Sequence, residues 1–306
     1  MKKYITLIFC LFAANVCFAQ HSKTYDFTEK NGQTLRLDVY FPDDGMAQHP
    51  CILFYFGGGF ISGARNDSTV VKFCETMAYE HGFVAVAADY RLGLKGAKHI
   101  GVFNKKPVKD AIYMAAEDAI SAIDFIIKHY KELKINTGKI IISGSSAGAI
   151  TALQTDYFIC NGKGNSAILP DDFHLAGVIP FSGAIYSVNG KAKYKMHSPA
   201  PTMFFHGMKD KLVPYKQIKF FNVGFIGSDK LVKRFEKYDY PYFIRRYENY
   251  AHAVAGFYNK NIEEILWFYD NYVEQGKDLQ IDEKVNYIND APKVKSDISN
   301  KNDIYD

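Results

Sequence analysis

The chain has 306 residues, 48 % of them hydrophobic and 23 % charged, with a formal net charge of +4. That is enough apolar material for one large α/β domain, and the small charge surplus gives no ground for a nucleic-acid or anionic-membrane partner. Five cysteines occur without CxxC or clustered His/Cys spacing, so neither a metal nor another cofactor is expected.

Residues 1–19 read as a secretion signal. Lys2 and Lys3 form a basic start, and the apolar stretch from Tyr4 to Ala14 is too short to cross a bilayer comfortably. Cys17-Phe18-Ala19 then places small residues where a signal peptidase reads them. Val16 is too large for the residue preceding a lipidated cysteine, which argues against an anchor at Cys17. The mature chain begins at Gln20, with 287 residues (306 minus 19), and without Lys2 and Lys3 its charge falls to +2. Periplasmic or extracellular location is expected. No second long apolar run follows, so no membrane span is expected after signal removal. Cys51, Cys74 and Cys160 remain, an odd number that permits at most one intrachain disulfide.

Next come Asp26–Thr28 and Leu35–Tyr40, alternating apolar and polar residues around Lys30-Asn31-Gly32, which predicts a β-hairpin. Buried strands are then predicted at 52–56, 83–88, 139–142, 175–181, 202–205 and 242–247. Helices are predicted at 70–80, 108–130, 146–157, 229–237 and 262–273. The alternation favours an α/β fold: a mostly parallel central sheet opened by an antiparallel hairpin, with helices on both faces. One domain is expected over 20–276, with no repeat or linker. From 277 to 306 the sequence is polar and weakly periodic, and reads as a loosely attached tail.

Gly144-Ser145-Ser146-Ala147-Gly148 falls between a β-branched run and a helical one. In that context G-x-S-x-G predicts a sharp strand-to-helix turn that projects Ser146 from the sheet edge. A serine hydroxyl needs a base, and the base an orienting carboxylate. Beyond later strands lie Asp210, in His206-Gly207-Met208-Lys209-Asp210, and His252, after Ala251. They follow Ser146 in the order serine, acid, histidine, whereas Asp67 and Asp89 precede it. Asp89-Tyr90-Arg91-Leu92 is assigned to securing its own loop, and His206 to packing beneath the acid loop. Gly57-Gly58-Gly59-Phe60 follows an early strand, and the amides of Gly58, Gly59 and Ala147 are candidate oxyanion donors. A plain tight turn is the competing reading of the three glycines.

Taken together, these pieces resemble the α/β-hydrolase superfamily, in particular carboxylesterases with an HGGG-type oxyanion loop, including those near the acetyl-xylan and feruloyl esterases. The resembling segments run from Gly57 to His252, and their joint order is more specific than any one of them. One departure is Phe56, where the pattern has histidine. The resemblance implies a secreted serine esterase with Ser146, His252 and Asp210 as its triad, hydrolysing short acetyl or aryl esters. The substrate is then a small ester or one carried on plant polysaccharide. Tyr55, Phe60 and Tyr215 are candidate stacking surfaces at the mouth. No long lid is evident between acid and histidine. A serine peptidase of the same fold and a non-catalytic carbohydrate-binding protein on a hydrolase scaffold are the alternatives.

Overall fold

A computed structural model of the chain describes residues 22–97 and 106–286; the expected signal peptide and start of the mature chain lie outside them. Strands β1 (Ser22–Lys30) and β2 (Gln33–Tyr40) form the predicted antiparallel hairpin. Its two-residue turn holds Asn31 and Gly32 at φ 54° and 74°, as a primed hairpin turn requires. β3 (His49–Tyr55) leads through a glycine loop to α1 (Ser68–Glu75), which continues as a π-turn to Glu80. Then come β4 (Val84–Ala88), α2 (Lys106–Lys128), β5 (Ile135–Ser145) and α3 (Ala147–Ile159). After α3 come β6 (Gly177–Phe181), β7 (Ala184–Ser187) and β8 (Thr202–Gly207). β9 (Gln217–Phe220), β10 (Val223–Gly227), α4 (Ser228–Lys237) and β11 (Tyr242–Tyr247) follow. A 3₁₀ segment, His252–Lys260, precedes α5 (Ile262–Phe268), and β12 (Gln280–Val285) comes last.

The main sheet has nine strands in the order β1-β2-β4-β3-β5-β6-β8-β11-β12. From β4 through to β12 every neighbour is parallel; only the hairpin and its join to β4 are antiparallel. Every residue of β4 is buried, as expected of a strand covered on both faces. Cross-strand register separates those faces. Phe54 pairs with Ser143, and its ring packs on Phe73 of α1 and Tyr258 of the 3₁₀ segment. Tyr55 pairs with Gly144, the position where a Cβ would strike α3 at Gly148. Side chains alternate along a strand, so α1 and the 3₁₀ segment cover one face and α3 the other. α3 is buried at all thirteen positions, because the sheet lies on one side of it and α2 on another.

One expectation is corrected. Residues 277–306 are not a tail throughout, since Gln280–Val285 form β12, in register with β11 from Tyr242↔Gln280 to Tyr247↔Val285. Its alternating half-buried pattern is that of an edge strand, whose charged residues disguise it in the sequence. In addition, a second sheet, β7-β10-β9, inserts the β9–β10 hairpin between Asp210 and α4. β7 and β10 are apolar but only four and five residues long, and β9 is mostly exposed.

Candidate active site

β5 ends at Ser145 and α3 begins at Ala147, so Ser146 alone makes the turn, at φ 52° and ψ −112°. A non-glycine residue held there costs on the order of 1–3 kcal/mol and needs surroundings that enforce it. The glycines on either side provide the closeness. A Cβ on Gly144 would lie 2.5 Å from the Gly148 carbonyl carbon, and one on Gly148 would lie 2.0 Å from the Tyr55 oxygen. The Ser146 N–H donates to the Phe181 carbonyl of β6 at 2.9 Å, fixing the turn from the other side.

The structure brings together three side chains far apart in sequence. His252 Nδ1 lies 2.8 Å from Asp210 Oδ2, and its Nε2 lies 2.9 Å from Ser146 Oγ. With Nδ1–H donating to the carboxylate, Nε2 accepts the serine hydroxyl. All three residues are buried. The parallel arrangement explains the convergence: β5, β8 and β11 end at the same sheet edge, and each delivers one group just beyond it.

The two oxygens of Asp210 are divided between loop and rings. Oδ1 accepts the N–H groups of Leu212 (2.9 Å) and Val213 (3.0 Å), while Oδ2 faces His252 and, at 3.4 Å, His206 Nε2. Burial works to raise this carboxyl's pKa. Hydrogen bonds to His206 and His252, with the attraction of both rings, outweigh it and hold the group well below the usual carboxylate range. His206 does more than pack. It is fully buried, its Nδ1 accepts from Ser228 Oγ (2.7 Å), and its Nε2–H reaches the Val213 carbonyl (3.1 Å) as well as Asp210. Only its place at the end of β8, four residues before the acid, marks it in the sequence.

The glycine loop lies against the elbow because Gly148 packs on Tyr55 and Phe56. Gly58 holds φ 115°, and a Cβ there would lie 2.1 Å from the Ser62 oxygen, so only glycine fits. Ala147 is the first residue of α3, and its N–H has no partner inside the helix. Among the described loop and turn hydrogen bonds, none uses the N–H of Gly58 or Gly59. Tyr90 stacks on Phe56 at 4.5 Å, and its hydroxyl donates to the Phe56 carbonyl at 2.9 Å. That brace holds the loop at Phe56, a role the sequence did not disclose. Asp89 secures its loop through Arg65, which pairs with Asp38 and Asp89 at 2.9 Å each, and Arg91 pairs with buried Asp118 at 2.7 Å.

The suggested stacking surfaces are corrected: Tyr55, Phe60 and Tyr215 are all core residues. Cys51, Cys74 and Cys160 are buried free thiols. Among the described residues, no group of three or more His, Cys, Asp or Glu is suited to hold a metal, and no helix is long and apolar enough to cross a membrane. The arrangement has the parts for base-assisted attack by a hydroxyl: a proton acceptor on Oγ, a counter-ion for the imidazolium, and amides for an oxyanion.

Comparison with known proteins agrees with this architecture. The BD-FAE family model matches residues 37–158. A probable isoprenylcysteine alpha-carbonyl methylesterase of Arabidopsis thaliana is 24 % identical over 224 residues, covering 61 % of this chain and 44 % of that protein. Esterase LipI of Mycobacterium tuberculosis is 29 % identical over 118 residues, covering 37 % and 31 % respectively. The chain thus spans less than half the length of these two relatives. A thermophilic esterase from Thermogutta terrifontis superposes with a TM-score of 0.61 at 22 % identity, over 84 % of this chain and 93 % of that one. Strand order, the crossing from β5 through the elbow into α3, and the likeness to the Thermogutta structure show that this chain has the α/β-hydrolase fold.

Proposed function

We propose that the chain is a secreted serine carboxylesterase acting on short acetyl or aryl esters, with plant polysaccharide as the carrier of its natural ester. The observation that carries this reading is the unbroken line Ser146 Oγ, His252 Nε2, His252 Nδ1, Asp210 Oδ2, with contacts of 2.9 and 2.8 Å. In the proposed reaction, His252 takes the serine proton as Oγ bonds to the ester carbon. Asp210 stabilises the imidazolium, and the amides of Ala147 with Gly58 or Gly59 receive the oxyanion. His252 then protonates the departing alcohol. Water, deprotonated by the same ring, attacks the acyl-serine, and the acid leaves as Oγ recovers its proton.

Support comes also from the relatives, among them the methylesterase and LipI. The Thermogutta esterase has been captured with propionate and with butyrate, and phosphorylated by paraoxon. The N-terminal signal pattern favours an exported enzyme. The purified protein is expected to turn over p-nitrophenyl acetate and to take up a fluorophosphonate probe on Ser146. In Ser146→Ala, turnover should fall by about 10⁴-fold or more and labelling should vanish, with the circular dichroism spectrum unchanged. Retained turnover and labelling in that variant would mean that another residue is the nucleophile.

A further inference from the structure

Beside the elbow lies an open cleft of about 400 Å³ that shares Gly58 with the oxyanion loop but is lined by none of Ser146, Asp210 and His252. One wall is the oxyanion loop at Gly57 and Gly58, another the start of α1 at Asp67, Ser68 and Thr69, and Tyr258 closes a third. Ser145, the residue before the nucleophile, also lines it. Gly144 faces α3, so by strand alternation Ser145 points to the opposite face, toward α1 and the 3₁₀ segment. Ser145 is only 2 % exposed, and its Oγ has no hydrogen-bond partner. A buried hydroxyl without a partner is disfavoured, and a bound group able to supply one relieves that penalty.

The chemistry of the walls narrows the occupant. The first amides of α1 are donors without partners inside the helix, and Asp67 makes no side-chain cap to them; its Oδ2 instead accepts the Ala64 N–H at 3.1 Å. Donors alone would suit an anion, but the Asp67 carboxylate stands at the same helix end and no Lys or Arg lines the cleft. A cation would meet the positive end of the helix. An alkyl chain would leave Ser145 unpaired. A neutral group that both donates and accepts suits Ser145, the Asp67 carboxylate and the first amides of α1 together, and a hydroxyl does both. Resting on the esterase reading, we propose that this cleft is a subsite for a neutral, hydroxyl-bearing portion of the ester, held by Ser145, Asp67 and the N-terminus of α1.

The test compares two acetates built on six-membered rings: a mono-acetylated methyl xylopyranoside and cyclohexyl acetate. The wild-type enzyme is expected to prefer the hydroxylated ring by at least about tenfold in kcat/KM, as a site built to hydrogen-bond a hydroxyl should. Ser145→Ala and Asp67→Asn should each cut that ratio several-fold, chiefly through KM for the xyloside. In parallel, Ser146→Ala is titrated with methyl xylopyranoside by amide NMR, with shifts expected at Gly57, Gly58 and Ser68–Val70. A wild-type ratio near one, or a ratio that both variants leave intact, overturns the subsite while p-nitrophenyl acetate turnover leaves the esterase reading standing. Failure on every ester overturns the esterase reading, and the titration then decides the cleft: shifts at those amides uphold it, and their absence sinks it.

Discussion

The centre of the sheet and its C-terminal edge are held by different forces, and the site hangs between them. At the centre, β3, β4 and β5 carry Ile52, Leu53, Phe54, Val84, Val86 and Ile140–Ile142, all fully buried. At the edge, β11 and β12 are tied by charge. Arg245 pairs with Glu264 and with Glu283 (2.6 Å), and Arg246 reaches Asp282 (2.6 Å), Asp229 (3.0 Å) and the Tyr215 hydroxyl. Ser146 is delivered by the apolar centre, while Asp210 follows β8, next to the charged edge, and His252 follows β11, within it. Close packing therefore fixes one end of the hydrogen-bonded line, and a network of ion pairs steadies the other.

The sharpest way to break the central half is Gly148→Val. Its Cβ would overlap the Tyr55 carbonyl at 2.0 Å with further backbone at 2.5 and 2.6 Å, and no flexible side chain can yield. Overpacking of ordinary cores costs about 1–3 kcal/mol and sometimes more; a backbone collision belongs at or beyond that upper end. The expected outcome is loss of soluble folded protein, or a melting temperature lower by at least about 10 °C, using a size-scaled 2–4 °C per kcal/mol. A variant melting within a few degrees of wild type would show that the elbow has more room than its geometry indicates.

The edge is tested by Arg246→Leu, which should do less damage. The guanidinium is nearly buried, but Asp282 is 40 % exposed, so solvent can recover part of that partner's loss. Breaking a fully buried pair costs about 3–5 kcal/mol; with one partner half in water, about 2 kcal/mol is expected from denaturant unfolding. The loss has a second consequence at the site. Tyr215 loses the guanidinium on its hydroxyl, and its ring packs edge-on against His206 at 5.5 Å, which in turn contacts Asp210. Activity should therefore fall more than stability at a temperature where the variant is still folded. Added salt should weaken the wild-type edge more than that of the Leu variant, which keeps only the Arg245 pairs. Equal salt responses would deny the charged edge its part.

The same contrast explains what was legible in the sequence. Strands such as β4 and β5 announce themselves because burial on both faces demands uninterrupted apolar residues. The elbow is legible because a single steric requirement, two glycines around a strained serine, leaves a fixed spacing. β12 is not, since Gln280-Ile281-Asp282-Glu283-Lys284-Val285 is selected for pairing with Arg245 and Arg246, partners more than thirty residues away. The hold of Tyr90 on the oxyanion loop is hidden because its partner, the Phe56 carbonyl, is brought near only by folding, whereas His206 stands four residues from Asp210 and its place under the acid loop is legible. Tyr55, Phe60 and Tyr215 stand near the right loops, yet nothing local tells a core aromatic from a mouth aromatic.

Between the two regions, α3 carries a charge problem of its own. Asp156 is buried in a helix that has no exposed residue, and burial pushes its carboxyl up to about 7, against the lowering effect of hydrogen bonds from the Ala200 N–H and Cys160 Sγ. Its folded pKa lies above the unfolded value of 3.8, so the folded state binds the extra proton. Stability from this group is fully present below the unfolded pKa and is lost as pH rises through the folded one. Asp156→Asn keeps an oxygen for the Ala200 amide and removes the ionisation. Between pH 6 and pH 7 the wild type should lose about 1 kcal/mol relative to the variant, read as converging or crossing denaturation midpoints. Parallel pH profiles would mean that the carboxylate is already solvated or paired in the folded protein, and that α3 accommodates charge as the sheet edge does.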